Sequence, residues 1–352
     1  DSANIERSAG VLIDRRDVER AHDLAMRYLD ANEALFASRI EGGFVRDGHG
    51  DLIADDIFCL DDGPRILDCL AFRDDFRIGD VLSDIAFLVM DVHRLTGPEA
   101  GRRLMRWYQE YANEHHPSSL AHHYVAYRAH VRAKVACLAH EQGSAGQGDL
   151  ARAYHTLALQ HLELARGRVV LIGGPPGVGK STVAACLGET LSTPTLVTDA
   201  IRKDLAAVAR DDHRPSAFET GLYTPEMTDR VYEELLHRAD VLLTSGESVI
   251  LDASWSAADH RRLAGRLADR HGAELIQVEC RLDVEETRRR IRQRTSEGTD
   301  PSDVTVATAE EIATRRDPWP EARTVSTHGS IDEACARVRT LLDDHAAHRR
   351  GT

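Results

Sequence analysis

Val169-Val170-Leu171-Ile172-Gly173-Gly174-Pro175-Pro176-Gly177-Val178-Gly179-Lys180-Ser181-Thr182 is the stretch that decides the fold of the C-terminal half. An apolar β-type run enters a turn that fits G-x-x-x-x-G-K-[ST], and a helical pattern opens at Lys180. Glycines let the backbone curl its N–H groups around phosphate oxygens, and the helix that follows presents the positive end of its dipole to them. Lys180 is placed to reach the terminal phosphates, and the Ser181 hydroxyl to ligate magnesium. A glycine turn that binds nothing is the alternative. The strand before it, the helix after it and the Lys-Ser pair count against that alternative. The candidate nucleotide-binding residues are therefore Gly174, Pro175, Pro176, Gly177, Val178, Gly179, Lys180, Ser181 and Thr182.

Working downstream, apolar runs predict strands at 168–173, 195–198, 248–252 and 274–280. Helices are predicted at 180–191, 200–209, 225–245, 257–271, 283–295, 306–316 and about 330–346. Such alternation implies an α/β domain whose parallel sheet is covered on both faces. Asp199 follows the second strand, at the carboxyl edge where open α/β sheets bind ligands. It is the candidate base for a phosphoryl acceptor hydroxyl, with Arg202 to hold an anionic substrate or balance developing charge. Equally, Asp199 could cap a helix beginning at Ala200. Asp252 ends the run Val249-Ile250-Leu251, as a carboxylate that supports magnesium would; its rival role is to cap the helix after Trp255. Arg281, Arg288, Arg289, Arg290, Arg292 and Arg294 form a basic cluster. Arg290 and Arg294 share a helix face and could close over a triphosphate, while others pair with Asp283, Glu285 and Glu286.

Upstream, residues 17–40 read as one amphipathic helix ending at Gly42-Gly43. Runs at 57–60 and 65–68 read as a hairpin over Asp61-Asp62-Gly63-Pro64, and 80–166 is helical in pattern, interrupted at 143–148. The change of pattern places a boundary near residue 166, giving domains 1–166 and 167–352. A hydrophobic content of 42 % and a charged content of 29 % are ordinary for a soluble protein. No apolar run approaches the about 20 residues of a membrane helix. Six scattered cysteines suit neither a zinc site nor a disulfide framework, so reduced thiols and a cytoplasmic location are expected. The 18 histidines show no ligand spacing and read as surface or structural residues. A net charge of -14 argues against a nucleic-acid partner and for ATP with a small-molecule acceptor.

With these residues in view, the second domain resembles the AAA_33-type P-loop kinases, a group similar to polynucleotide kinase, gluconate kinase and zeta-toxin kinases. The resemblance runs through GPPGVGKST at 174–182, TDAIRKDL at 198–205, LYTPE at 222–226, LDAS at 251–254 and the pair Arg290 and Arg294. It implies a five-stranded parallel sheet with flanking helices, ATP with Mg2+, Asp199 as base and the arginine pair as a lid. The acceptor differs from member to member.

The first domain resembles the mainly helical C-lobe of aminoglycoside-phosphotransferase-type kinases. The resemblance rests on His49-Gly50-Asp51-Leu52, on Leu67-Asp68 and on Gly79-Asp80 followed by Asp84-Ile85-Ala86. By resemblance Asp51 would be a base, Asp68 a magnesium ligand, and Asp80 and Asp84 structural or acceptor-site acids. Acids on a loop and a hairpin could gather around a metal, or form a solvated acidic loop. Asp56 stands where the family has asparagine, and the 48 residues before His49 carry neither a glycine-rich strand loop nor a strand lysine. This half is expected to lack a kinase N-lobe and to phosphorylate nothing as given. The fusion resembles bacterial proteins described as bifunctional aminoglycoside phosphotransferase/ATP-binding proteins. Three functions stay open: a kinase of a small hydroxyl compound, an ATP-binding regulatory or scaffold module, and a nucleic-acid 5′-kinase.

Overall fold

The computed structural model describes residues 5, 9–191, 193–206, 224–297, 312 and 314–348. They divide into two compact units, Asp1–Arg166 and Gly167–Thr352.

In the first unit, the helix expected over 17–40 is two helices, α1 Arg15–Ala31 and α2 Glu33–Glu41. Asn32 joins them; its backbone leaves the helical region, and its side-chain amide donates to the Tyr28 carbonyl at 2.8 Å. Such a local side-chain bond competes with helix propagation. A short strand β1 (Val45–Asp47) then pairs antiparallel with β4 (Ile78–Asp80), a pairing too brief to leave an alternation in the sequence. The hairpin is β2 Ile57–Leu60 with β3 Gly63–Ile66, closed by Asp61-Asp62 alone, so its second strand starts two residues earlier than expected. Asp68 therefore lies beyond the strand, at φ 61°. After the short helix α3 (Asp74–Arg77) come α4 Val81–Thr96, α5 Pro98–Ala112, α6 Ser118–Glu141 and α7 Gln147–Ala165. Ala129, Ala133 and Ala136 of α6 pack with Phe87, Met90 and Tyr154 in the buried core, and Ala126 packs with Ala21 and Leu162. No described helix is long and apolar enough to cross a membrane.

The second unit is a parallel five-stranded sheet in the order β6-β7-β5-β8-β9. Its strands are β5 Arg168–Gly173, β6 Thr195–Val197, β7 Val249–Asp252, β8 Glu274–Arg281 and β9 Arg323–Ser326. Between them run α8 Lys180–Leu191, α9 Thr198–Leu205, α10 Pro225–Thr244, α11 Ala258–Arg270 and α12 Val284–Glu297, and α13 Ile331–His348 closes the unit. Successive residues of a strand face opposite sides, so the apolar run of β5 feeds two cores. Val169 and Leu171 join Leu235, Trp255 and Leu267 on one face, while Val170 and Ile172 join Leu187, Val338 and Leu342 on the other. The sheet is the expected one, but β9 was not among the strands read from pattern. It is a four-residue edge strand in which Val325 alone is buried, so it shows no apolar run. Most of the helix expected at 306–316 lies outside the described residues.

Register decides what meets at the carboxyl edge. Ile172 pairs with Asp252, and Asp252 in turn with Val197. The turn after Gly173, the acid ending β7 and the residues following β6 therefore converge.

Candidate active site

The loop that opens at Gly174 is held by three neighbours. Its Gly174 N–H donates to the Ser254 carbonyl at 3.3 Å, and its Val178 carbonyl accepts from the Thr327 hydroxyl at 2.5 Å. At its end the Gly179 carbonyl accepts the first α8 bond, from Val183 N–H at 3.1 Å. Gly174 sits at φ 142°, and a Cβ there would fall 2.6 Å from the Cys280 carbonyl oxygen. Only glycine fits so close an approach. Thr327, 3 % exposed, is a site residue that pattern reading missed, because it follows the edge strand that pattern reading also missed.

Asp252 is 1 % exposed, and no hydrogen bond of normal geometry reaches either carboxylate oxygen. Burial pushes its carboxyl up from the ordinary 3.8 to about 6; Lys180 and Ser181 pull downward, and Asp199 adds to the rise. A buried acid facing a lysine and a hydroxyl, and short of donors, fits a divalent cation. Among the described residues no three His, Cys, Asp or Glu side chains gather to hold a metal. The donor set suits an ion held mostly by substrate phosphates, as magnesium is.

The raised carboxyl has a stability consequence. The folded chain prefers Asp252 neutral, so the penalty is absent below about pH 4, grows to pH 6 and is complete above it, at about 3 kcal/mol. Asp252→Asn should therefore raise the thermal midpoint of the metal-free chain at pH 7.5 while abolishing any magnesium-dependent stabilisation by ATP. A lower midpoint would mean that the carboxylate is satisfied in the folded state.

Neither acid serves as a helix cap. Helix α9 begins at Thr198 with Val197 as its cap residue, so Asp199 sits inside the first turn. The helix after Trp255 starts at Ala258 with Ala257 before it, well past Asp252. The Thr198 hydroxyl donates to the Asp252 carbonyl at 3.1 Å, tying the start of α9 to the end of β7. Asp199 is half-buried at this edge, and Arg202, one turn on, is buried close enough to Tyr232 to act on its hydroxyl.

Of the arginine cluster, Arg290 reaches the loop. Its guanidinium donates to the Thr327 carbonyl at 3.2 Å and to Glu286 at 3.1 Å. Arg288 pairs with Glu285, Arg289 with Glu286 and Arg281 with Glu279. Arg292 is exposed. The side chain of Arg294, and Leu222 and Tyr223 of the third motif, lie outside the described residues. A cavity of about 330 Å3 adjoins the loop, lined by Gly179, Thr182, Val183, Arg290, Thr327 and Ile331 among others. Such a volume suits a base with its sugar. Beyond β7, Trp255 is buried at φ 51° and its backbone N–H donates to the Tyr232 hydroxyl at 3.0 Å. There Arg316 bridges the Ser254 carbonyl and Glu279, at 3.1 and 3.0 Å.

In the first unit the motif residues also meet. His49 Nε2 lies 2.8 Å from the Leu67 carbonyl, and the His49 carbonyl accepts from Leu70 N–H at 3.0 Å. Burial, then Asp68 and Asp51, raise the Asp56 carboxyl, which places these three acids near one another. They do not form a described three-ligand metal group. Asp84 accepts from the His49 and Gly50 N–H groups at 2.5 and 2.9 Å and so holds that loop. Asp80 is engaged by Arg39 at 2.8 and 2.6 Å, and Arg39 also pairs with buried Glu114. The histidines are less separate than their spacing suggested. His93 Nδ1 and His122 Nδ1 each lie 3.0 Å from a ring nitrogen of buried His161, a chain across three helices.

Residues 169–319 match the AAA_33 family model, described as an AAA domain. An uncharacterized protein of Mycobacterium tuberculosis is 36 % identical over 337 residues, covering 96 % of this chain and 67 % of that protein. A guanylate kinase of Rubrobacter xylanophilus is 30 % identical over 166 residues, 43 % of this chain and 82 % of its own length. A gluconokinase structure from Sinorhizobium meliloti aligns with TM-score 0.39 at 16 % identity, over 52 % of this chain and 95 % of that one. The strand order and the phosphate loop fix the fold of the second unit. Together with the family match they define the second unit as a P-loop kinase domain, of the ATP-dependent kinase class. The chain as a whole belongs to the family of the mycobacterial protein, whose length it spans to 67 %.

Proposed function

We propose that the second unit transfers the terminal phosphoryl group of ATP to a hydroxyl of a small molecule, with Asp199 as the base. The observation that carries this reading is the register that brings Asp252, Asp199 and the phosphate loop to one sheet edge. The loop N–H groups, the α8 dipole and Lys180 would hold the phosphates, and the cavity beside Arg290 would take the base and sugar. Ser181 and Asp252 would hold magnesium, which when bound neutralises charge on the transferring phosphate. Asp199 would orient the acceptor hydroxyl and take its proton, and Arg202 would bind an anionic part of the acceptor. Arg290, with Arg294, would close over the phosphates and exclude water.

A small acceptor is favoured over a nucleic-acid end. Arg288 and Arg289 are paired with glutamates, and the chain carries a net charge of -14, so no free basic track for a polyanion is offered by them. For the first unit we propose an aminoglycoside-phosphotransferase-like C-lobe. Its support is the His49–Leu67 bond and the neighbouring acids Asp51, Asp56 and Asp68.

The test is a screen of small sugars, nucleosides and aminoglycosides for ATP consumption, with Lys180→Ala as the blank. At least one class should exceed that blank. If every compound stays at the blank level while ATP still binds, the unit is a nucleotide-dependent regulatory module instead.

A further inference from the structure

Six scattered cysteines gave no sign of pairing, yet the fold brings two of them into one apolar layer. Cys186 lies on α8, less than two turns past the phosphate loop, and Cys335 lies near the start of α13. Both belong to one apolar layer with Val183, Ala184, Leu187, Ala334 and Val338. In that layer the Cys186 thiol is close enough to act on the Cys335 thiol, and Thr190 borders the pair, its hydroxyl donating to the Cys186 carbonyl at 2.7 Å. Cys335 is 5 % exposed and Cys186 is half-buried. The same two helices wall the cavity beside the phosphate loop, through Thr182 and Val183 of α8 and Ile331 and Ala334 of α13.

We propose that Cys186 and Cys335 are a redox-modification site. A reversible disulfide between them fastens α13 to the phosphate-loop helix and lowers the affinity of the adjoining cavity for nucleotide. The cross-link stands on the two thiols sharing one packed layer between α8 and α13; its effect on affinity rests on the nucleotide reading of the cavity. A covalent bond is shorter than a contact between two thiols, so forming it draws α8 and α13 together and narrows the space between them.

The oxidant class is a peroxide, which accepts two electrons. Cys186, the more accessible thiol, reacts first as its thiolate. Its sulfur bonds one peroxide oxygen, the O–O bond breaks, and the departing hydroxide takes the thiol proton to become water. The sulfur of Cys335 then attacks the sulfenic sulfur of Cys186, the S–O bond breaks, and that hydroxide leaves with the Cys335 proton as a second water. Two thiols lose two electrons and two protons, and one hydrogen peroxide becomes two waters. A dithiol reductant reverses the bond by exchange.

The full chain is treated with hydrogen peroxide, alkylated, digested and analysed by mass spectrometry, and ATP affinity is measured on the same samples. The expected result is a peptide pair joined through Cys186 and Cys335 that disappears after dithiothreitol. The ATP dissociation constant should rise roughly five-fold or more and recover on reduction. Cys186→Ser and Cys335→Ala should each bind ATP as the reduced wild type does and lose the response to peroxide. Cys186→Ser is half-exposed and serves if Cys335→Ala loosens the core. Recovery of both residues as alkylated thiols or as sulfinic acids sinks the modification site. A cross-link that leaves ATP affinity unchanged sinks its regulatory effect. Failure of the untreated chain to bind ATP counts against the nucleotide reading, and with it the affinity effect, and leaves the cross-link standing. Peptide assignment separates this pair from exposed Cys59 and Cys69.

Discussion

Asp199→Asn is expected to slow phosphoryl transfer by roughly 10²–10⁴-fold while ATP affinity stays unchanged, because a positioned base contributes about that much to a proton-transfer step. The substitution keeps size and removes the charge that would take the acceptor proton. Binding should survive, because on this reading the loop, α8 and Lys180 would supply the phosphate contacts. Lys180→Ala provides the contrast: it should weaken ATP binding itself. Isothermal titration with ATP separates the two, and single-turnover kinetics then reports the chemical step. Equal loss of affinity in both variants would place Asp199 in nucleotide binding. An unchanged rate in Asp199→Asn would remove it as the base.

The second large effect concerns the first unit and acid. His123 is stacked on Tyr28 at 4.3 Å between centroids, and burial pushes its imidazole down to about 4. His130 is likewise pushed down to about 4, by burial and then by His155, Lys134 and His22. His161 is driven well below its ordinary value by burial and by His122 and His93. A histidine whose folded value is lowered contributes stability that is fully present above the unfolded value. That contribution is lost as pH falls from about 6.5 to about 4. For His123 the loss is about 3 kcal/mol, and total domain stability is commonly about 5–15 kcal/mol. The first unit should therefore lose helical circular dichroism between about pH 5 and 4. Asp252 has the opposite sign over the same window, so the second unit gains from that group as acid is added. His123→Phe, which keeps the stack on Tyr28 and removes the titration, should move the acid midpoint lower. A midpoint that does not move would assign the acid transition to other groups.

Much of the second unit is legible in its sequence because its signals are local. Eight consecutive residues supply the phosphate loop, and the backbone groups that cradle phosphate need nothing distant to take up that curl. Asp199 and Asp252 could be singled out because a parallel sheet places the residue after a strand at the carboxyl edge. Their rival readings as caps needed the helix starts at Thr198 and Ala258, which propensity does not settle to within a few residues. In the first unit, by contrast, a break at Asn32 and the three-residue strands Val45–Asp47 and Ile78–Asp80 left no periodicity to read.

By itself, then, the sequence determined the nucleotide loop, the parallel α/β character of the second unit and the acids at its edge, all set by neighbours along the chain. Tertiary structure alone decided the rest. Thr327 meets Val178 across 149 residues, Arg290 reaches the Thr327 carbonyl as well as Glu286, and Cys186 shares one apolar layer with Cys335. His161 joins His93 and His122 from three separate helices. Each of these contacts exists because packing brings distant segments to one place, and spacing along a chain carries no record of distances that only packing creates.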